Sequence, residues 1–239
     1  MHPIVKAILS YSNYQQAPFA NRISGSGYGS SPRVHHLWKR HWQDVPPEDI
    51  KKKVPLVVGT AMHFLLEFAD LDKFLEEDNS PYRVFDREKS MHFHTPSGIT
   101  LTGTYDLVLE NKETGRLCVG DMKTMRSKIG KNFLDYQKQL TIYAWIGSRF
   151  YNREFEPEGM IIWFDKTSQE FGVKMVPLDL EIDPIAYTDS IVKYETVPDK
   201  DLPFCTDEET DHGRKCRWCG IAKWCNQLSP FEPTGFTTT

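Results

Sequence analysis

A pair of strand-like runs joined by a short turn constrains the fold of this chain more than any other feature of its sequence. Residues 98–110 read GITLTGTYDLVLE and residues 116–124 read RLCVGDMKT, and both runs are rich in apolar and β-branched side chains. The residues between them, NKETG, are typical of a turn. Two such runs predict an antiparallel pair of strands at the centre of a β-sheet.

Acidic side chains and a lysine interrupt these apolar strands. Side chains alternate between the two faces of a strand, so Asp121 and Lys123 lie on the same face of the second strand. If residues 111–114 form a four-residue turn, Asp106 lies on that face too, opposite Val119 and one step from Asp121. The pairing therefore predicts two carboxylates beside one ammonium group.

This group of side chains suits a hard divalent cation. Carboxylate oxygens favour Mg²⁺ or Mn²⁺, which makes Asp106 and Asp121 candidate ligands. The carbonyl of Met122 is a further candidate ligand, and His63, from an upstream helix, completes the predicted site. We expect Lys123 to position an attacking water or to offset charge that develops on a phosphate.

The helix that carries His63 is predicted to be buried. In residues 58–70, VGTAMHFLLEFAD, apolar side chains cover most of the helix circumference. His63, Glu67 and Asp70 fall on one narrow stripe at about 100° per residue. We therefore expect polar groups opposite that stripe.

The remaining pattern alternates strands and helices, which indicates an α/β fold. A helix begins near Pro32, and the lysines at 51–53 are expected in a solvated turn. Further strands are predicted at 82–88, 91–94, 158–167 and 170–178, and further helices at 133–150 and 183–197. With 39% apolar residues among 239, the chain supports one sizeable core and at most a small appendage.

Four short motifs follow one another along the chain. They are GTAMHFLLE at 59–67, GTYD at 103–106, GDMKT at 120–124 and QLTIY at 139–143. In this order they resemble the PD-(D/E)XK nuclease superfamily, in particular its RecB-like branch. The resemblance implies a restriction-endonuclease-like core, in which a mixed central β-sheet is flanked by helices. The residues it implies as functional are the metal ligands His63, Asp106 and Asp121, the catalytic Lys123, and Gln139 and Tyr143 lining the site.

Cysteines are concentrated near the C-terminus. Four of the five lie between Cys205 and Cys225, and the N-terminus reads as lacking a secretion signal, so a metal site is favoured over disulfides. The run CRWCGIAKWC contains Cys216, Cys219 and Cys225. It resembles the terminal cysteine triplet with which many RecB-like nucleases hold a [4Fe–4S] cluster.

The fourth ligand of such a cluster departs from the family pattern. In the relatives a cysteine precedes the first helix in a Cys-Pro-Arg context, whereas this chain has Ser31, Pro32 and Arg33 there. Cys205 is the available substitute, and His212 is a weaker one. Four thiolates also suit Zn²⁺, so zinc is the alternative to the iron–sulfur cluster. With either group, we expect the C-terminal segment to be fastened to the nuclease core.

Four segments are expected along the chain. They are an irregular N-terminal segment at 1–31, a nuclease core at 32–200, a metal-bound cysteine subregion at 201–228 and a flexible tail at 229–239. No apolar run is long enough to cross a membrane, and we expect a cytoplasmic protein. The formal net charge of −4 excludes a uniformly basic coat for nucleic acid but allows a local basic groove.

With the resemblance, these features predict a Mg²⁺- or Mn²⁺-dependent exonuclease acting on single-stranded DNA or duplex ends. The resemblance implies recombination, repair, replication or CRISPR adaptation as its context, with proteins of those pathways as partners, and the compact chain suits a phage or prokaryotic source. A non-catalytic nucleic-acid-binding module with the same fold is the alternative, which the intact Asp106, Asp121 and Lys123 disfavour. A zinc hydrolase centred on the cysteines is weaker, because four thiolates close the coordination sphere.

Overall fold

The computed structural model describes residues 21–45, 50–125, 133–206, 216, 219 and 221–225. These residues fall into two compact units, 21–28 with 50–184 and 29–45 with 185–225. Residues 1–20, the predicted tail at 229–239 and His212 lie outside the described part of the chain.

A mixed β-sheet forms the centre of the first unit. Its strands are β1 (Arg22–Ser24), β2 (Tyr82–His94), β3 (Thr100–Asn111), β4 (Leu117–Met125), β5 (Glu158–Asp165) and β6 (Phe171–Pro177). β2 pairs antiparallel with β3 along its length. The other edge of β3 takes β1 in parallel near its start and β4 antiparallel near its end. β4 then pairs parallel with β5, and β5 antiparallel with β6, which confirms the predicted mixed sheet.

The helices of the described residues are α1 (Pro32–His41), α2 (Ile50–Phe68), α3 (Leu71–Glu77), α4 (Phe133–Tyr151), α5 (Pro184–Val192) and α6 (Ala222–Cys225). α4 connects β4 to β5, as a parallel pair of strands requires a long crossover. In the described part of the chain, the helices are too short or too polar to cross a membrane.

Three predictions about local structure are wrong. The lysines at 51–53 lie within α2 and not in a turn. The separate strands predicted at 82–88 and 91–94 form the single strand β2. The helix predicted at 183–197 ends at Val192, because the N–H groups of Tyr194 and Glu195 bond to carbonyls three residues back and tighten the chain into a turn.

The turn between β3 and β4 is longer than predicted. Val108 pairs with Val119, so the connection spans residues 111–116. Both turn lengths are even, and Asp106 therefore stays on the predicted face. The longer turn, however, brings Asp106 level with Asp121 and not with Val119.

The prediction of a buried α2 is also wrong. Among residues 59–68 only Leu66 is buried, and it packs against Leu107, Leu109 and other apolar side chains of the β3–β4 pair. Phe64, Leu65 and Phe68 are 55%, 63% and 78% exposed. Between residues 59 and 68 the helix thus contacts the sheet through a narrow stripe, and Phe64, Leu65 and Phe68 face away from that core.

In the second unit, α1 begins at a well-formed cap. Ser31 precedes the helix, and its Oγ accepts a hydrogen bond from the Val34 N–H at 3.3 Å, with Pro32 in the first turn. The buried face of α1 places Leu37 against Leu202 and Ile221, which form a small core of this unit.

Candidate active site

Two buried carboxylates lie at one level of the β3–β4 pair. Asp106 and Asp121 are 4% and 3% exposed, and both stand just beyond the last paired residues of the two strands. The backbone N–H of Met122 donates to Asp106 Oδ2 at 2.5 Å. The Asp106 side chain thus accepts a hydrogen bond from β4 just beyond the last backbone pair of the two strands. Burial raises the pKa of Asp121 above its ordinary value, although the nearby Lys123 ammonium opposes the shift.

Lys123 supplies the positive charge of this site. Its Nζ lies 2.5 Å from Asp121 Oδ2, and about a fifth of its side chain is exposed. The ammonium also stands 5.6 Å from the centre of the Tyr136 ring. Lys123 is therefore held near the buried carboxylates while it remains accessible from solvent.

His63 reaches the same place from α2. Its Nδ1 lies 2.8 Å from Asp106 Oδ1, and this hydrogen bond raises the pKa of the imidazole despite its partial burial. Gly59, one turn earlier, lies beside β4, and a Cβ atom there would make an ordinary contact with Thr124 Oγ1 at 3.6 Å. The structure thus brings His63 and Asp106 together, as the sequence predicts.

Gln139 and Tyr143 approach the site from α4. Both are buried and one helical turn apart, so they share a face of the helix. The Gln139 amide Nε2 donates to the Tyr143 hydroxyl at 2.6 Å and, more weakly, to Asp121 Oδ1 at 3.4 Å. Their contacts connect α4 to the buried carboxylate of β4.

Met122 contacts the site through its backbone. Its side chain is buried with Leu66 and Leu107, away from the carboxylates' oxygens, whereas its N–H bonds to Asp106. In an extended strand the N–H and C=O of one residue point to the same edge. The role of the Met122 carbonyl as a metal ligand stays a prediction.

Glu88 is a member of the site that sequence reasoning missed. It lies on β2, and its Oε1 is 3.6 Å from His63 Nδ1, too far for a hydrogen bond. Among the described residues, one ligand atom each of His63, Glu88 and Asp106 lie within 4.8 Å of one another. Two carboxylates and an imidazole are donors that fit a divalent cation. The signal in the sequence was the charged run at 86–89, which begins inside the strand predicted at 82–88.

Cys205, Cys216, Cys219 and Cys225 lie in the second unit. Cys205 Sγ is 2.9 Å from Ser31 Oγ, so the substitute cysteine lies beside the serine that stands where the relatives have their fourth ligand. Burial raises the pKa of Cys219, and the neighbouring Cys225 and Cys216 raise it further. Among the cysteines described, no three sulfur atoms come within 4.8 Å of one another.

Arg33 connects the start of α1 to these cysteines. It is 1% exposed, and its Nε donates to Cys225 O at 2.9 Å and to Cys225 Sγ at 3.3 Å. Its Nη1 donates to Leu202 O at 2.5 Å. Within the described residues, no carboxylate lies within 4 Å of this guanidinium. Carbonyl oxygens and the Cys225 sulfur thus accept the Arg33 donors, and the guanidinium carbon lies 4.6 Å from the centre of the Phe204 ring.

Comparison with known proteins identifies a family whose model matches this chain and solved structures with a similar fold. The model of the PD-(D/E)XK nuclease superfamily matches residues 18–226. The crystal structure of SSO0001 is similar with a TM-score of 0.57 at 15% identity, over 94% of each chain. An alkaline exonuclease from Laribacter hongkongensis has a TM-score of 0.44 at 12% identity, over 89% of this chain and 98% of its own. No match is found among curated proteins. The likeness to SSO0001 extends over the whole α/β architecture described above.

Proposed function

The chain belongs to the PD-(D/E)XK nuclease superfamily, and from this premise we propose that it is a Mg²⁺- or Mn²⁺-dependent DNA exonuclease that hydrolyses phosphodiester bonds. One observation carries the proposal. His63 from α2, Asp106 from β3, and Asp121 with Lys123 from β4 meet in one site of the first unit. Carboxylates, an imidazole and an accessible ammonium together are the groups that metal-assisted phosphodiester hydrolysis needs.

The buried carboxylates are the proposed anchor for the metal. Asp106 and Asp121 would hold it, with the Met122 carbonyl at the same edge of β4 and His63 above Asp106. A divalent cation bound there lowers the pKa of a coordinated water and offsets negative charge at phosphorus. Without a cation nearby, burial of Asp121 is unfavourable, because burial disfavours the ionised form of its carboxyl group.

Lys123 has the proposed role of a charge donor in the reaction. Its ammonium lies beside the Asp121 carboxylate and is exposed enough to meet a phosphate from solvent. It therefore orients the attacking water or offsets charge on the phosphate oxygens as the pentacoordinate species develops. Gln139 positions Asp121 through its amide, and Tyr143 holds that amide in turn.

For the cysteines we propose a [4Fe–4S] cluster bound by Cys205, Cys216, Cys219 and Cys225, with Zn²⁺ as the alternative. The buried Arg33 guanidinium supports an anionic group, because it donates to Cys225 and has no carboxylate partner among the described residues.

The substrate and context follow from the resemblance and are part of the proposal. We infer single-stranded DNA or duplex ends as substrate, and recombination, repair, replication or CRISPR adaptation as context, in phage or prokaryotic cells. A cytoplasmic location agrees with cysteines that bind a metal group rather than pair as disulfides.

Degradation of end-labelled DNA tests the function. We expect linear DNA to be degraded with Mg²⁺ or Mn²⁺ and to remain intact with EDTA, and closed circular duplex DNA to resist. Asp121→Ala and Lys123→Ala should abolish cleavage while they retain DNA binding. Glu113→Gln, in the exposed turn after β3, is the matched control and should cut like the wild type. If the wild type binds DNA and cuts no substrate with either metal, the non-catalytic binding module is the correct function.

A further inference from the structure

Glu88 stands directly across from Asp106 in the β2–β3 pair. Arg87 pairs with Leu107 and Lys89 pairs with Tyr105, so the residues between them, Glu88 and Asp106, are opposite each other. Like charges directly opposite on neighbouring strands destabilise a sheet. This pairing therefore needs a compensating positive charge.

Another carboxylate of the β2–β3 pair, Glu110, is paired with positively charged side chains. At the other end of β2, Arg83 is the partner of Glu110 and donates to its Oε2 at 2.8 Å. Arg153 donates to the second oxygen, Oε1, at 2.8 Å. Both oxygens of Glu110 are thus satisfied by guanidinium groups, whereas Glu88 faces another carboxylate.

Glu88 also has a buried oxygen that is left without a hydrogen bond. Within the described residues, its Oε1 is buried and makes no hydrogen bond. Leaving a buried acceptor unsatisfied costs about 1–3 kcal/mol, and more for a charged group. The His63 imidazole, 3.6 Å away, bonds to Asp106 instead.

The backbone of Glu88 is unusual for its residue type. Its φ of 43° lies in the left-handed region, which residues with a side chain seldom adopt within a strand. The pairing register also shifts between Val84 and Asp86, just before it. Such an irregularity re-aims a side chain, and here it leaves the carboxylate beside His63 and Asp106.

We propose that Glu88 is a ligand of the divalent cation, together with His63 and Asp106. The three donors already lie within 4.8 Å of one another, and one bound cation offsets the repulsion between the carboxylates and satisfies the free Oε1. Glu88, Asp106 and Asp121 then form a row of carboxylates across three adjacent strands. This inference rests on the proposed function for the presence of a catalytic metal.

Direct metal binding tests the inference apart from cleavage. Mn²⁺ is titrated into EDTA-treated, dialysed full-length protein, and free Mn²⁺ is followed by its electron paramagnetic resonance signal. We expect Glu88→Gln to weaken Mn²⁺ binding by about tenfold or more, since it keeps the size of the side chain and removes its charge. Glu113→Gln removes the same charge from an exposed turn and should bind Mn²⁺ like the wild type.

The stability of the metal-free proteins provides a second readout. In EDTA, Glu88→Gln should unfold at a higher temperature than the wild type, because the substitution removes a like-charge pair; added Mn²⁺ should stabilise the wild type more than the variant. Unchanged Mn²⁺ affinity in Glu88→Gln would overturn the role of Glu88, even if the wild type degrades DNA. A wild type that binds Mn²⁺ through Glu88 and degrades no DNA would overturn the proposed function and leave the ligand assignment standing.

Discussion

The ring of Tyr143 lies so close to Gly103 that a Cβ atom on this glycine would come within 2.7 Å of its Cδ1. Gly103 is the glycine of the GTYD motif, and Tyr143 is the tyrosine of QLTIY. The contact explains why the motif on β3 needs a residue without a side chain. It also places the Tyr143 hydroxyl where Gln139 donates to it, and so connects the β3 backbone to the position of Asp121.

Gly103→Ala should therefore reduce DNA cleavage. The added methyl group displaces the Tyr143 ring and, through Gln139, loosens Asp121, so we expect kcat to fall by about 10- to 100-fold with a smaller change in DNA affinity. Steady-state cleavage and DNA-binding assays measure the two effects. Gly59→Ala is the matched control, because its Cβ meets Thr124 Oγ1 at an ordinary 3.6 Å and should leave cleavage intact. Equal activity of both variants would contradict this role for Gly103.

If Cys205 is the fourth ligand of the proposed cluster, its contact with Ser31 predicts that this ligand can be moved between the two positions. Their side-chain atoms lie 2.9 Å apart, so a thiol at position 31 reaches the same region as the Cys205 sulfur. Cys205→Ser should lose iron, sulfide and visible absorption, and the double variant Cys205→Ser with Ser31→Cys should regain them. Metal and sulfide analysis of freshly purified protein provides the measurement.

Ser31→Cys alone is the control for that exchange and should keep the cluster. A colourless wild type with one equivalent of zinc would refute the iron–sulfur assignment but leave the exchange testable by zinc content. Full metal retention in Cys205→Ser would show that Cys205 is not a ligand.

The Asp86 carboxylate on β2 is predicted to stabilise the first unit. Its Oδ2 accepts hydrogen bonds from the Tyr105 hydroxyl at 3.0 Å and the Tyr151 hydroxyl at 2.6 Å, and Tyr105 is fully buried. Asp86→Ala removes the carboxylate that both hydroxyls share, although the two hydroxyls still contact each other, and should lower the free energy of unfolding by about 1–3 kcal/mol. Urea unfolding measures the change. Tyr151→Phe removes one of the two bonds and should cost less; an equal or larger loss would contradict the assignment.

Acid should destabilise the protein through His35 on α1. Burial lowers the pKa of this imidazole to about 4, and His36 and Lys39 contribute in the same direction, whereas Glu195 opposes them. The unfolded state takes up the proton below its ordinary pKa of about 6.5. The folded state, which favours the neutral His35 imidazole, therefore keeps its full stability above about pH 6.5 and loses stability as the pH falls toward about 4.

The variant His35→Gln isolates this effect, because it removes the titrating group and keeps a polar side chain. Thermal unfolding of both proteins between about pH 7 and about pH 4.5 should show a smaller loss of stability in the variant. Parallel curves for the two proteins would rule out His35 as a contributor.

Much of the site is predictable from local sequence patterns. Alternation along the strands placed Asp106, Asp121 and Lys123 on one face, and the spacing of Gln139 and Tyr143 placed them on one face of α4. These predictions succeed because they depend on the period of a single strand or helix. Their convergence then required the predicted pairing of β3 with β4 and the packing of α2 and α4 beside these strands.

The misses depend on pairing between elements. A turn of four residues and a turn of six both keep Asp106 on the same face of β3, so the sequence pattern alone does not distinguish the two lengths. The longer turn forms because the Asn111 N–H donates to Arg116 O. Glu88 escaped notice because its place opposite Asp106 follows from the register shift in β2. The exposed Phe64 and Phe68 satisfy the same helical pattern as buried residues, and only the docked position of α2 distinguishes the two.

The parallel pairing of β4 with β5 has a consequence for how the chain folds. β2, β3 and β4 can form from neighbouring segments, whereas β5 must wait for the crossover through α4, and such long-range parallel pairing is slow. Gln139 and Tyr143 belong to that crossover. A newly made chain with only its first hairpins in place therefore lacks the α4 side chains that contact Asp121, so the candidate site is completed late in folding.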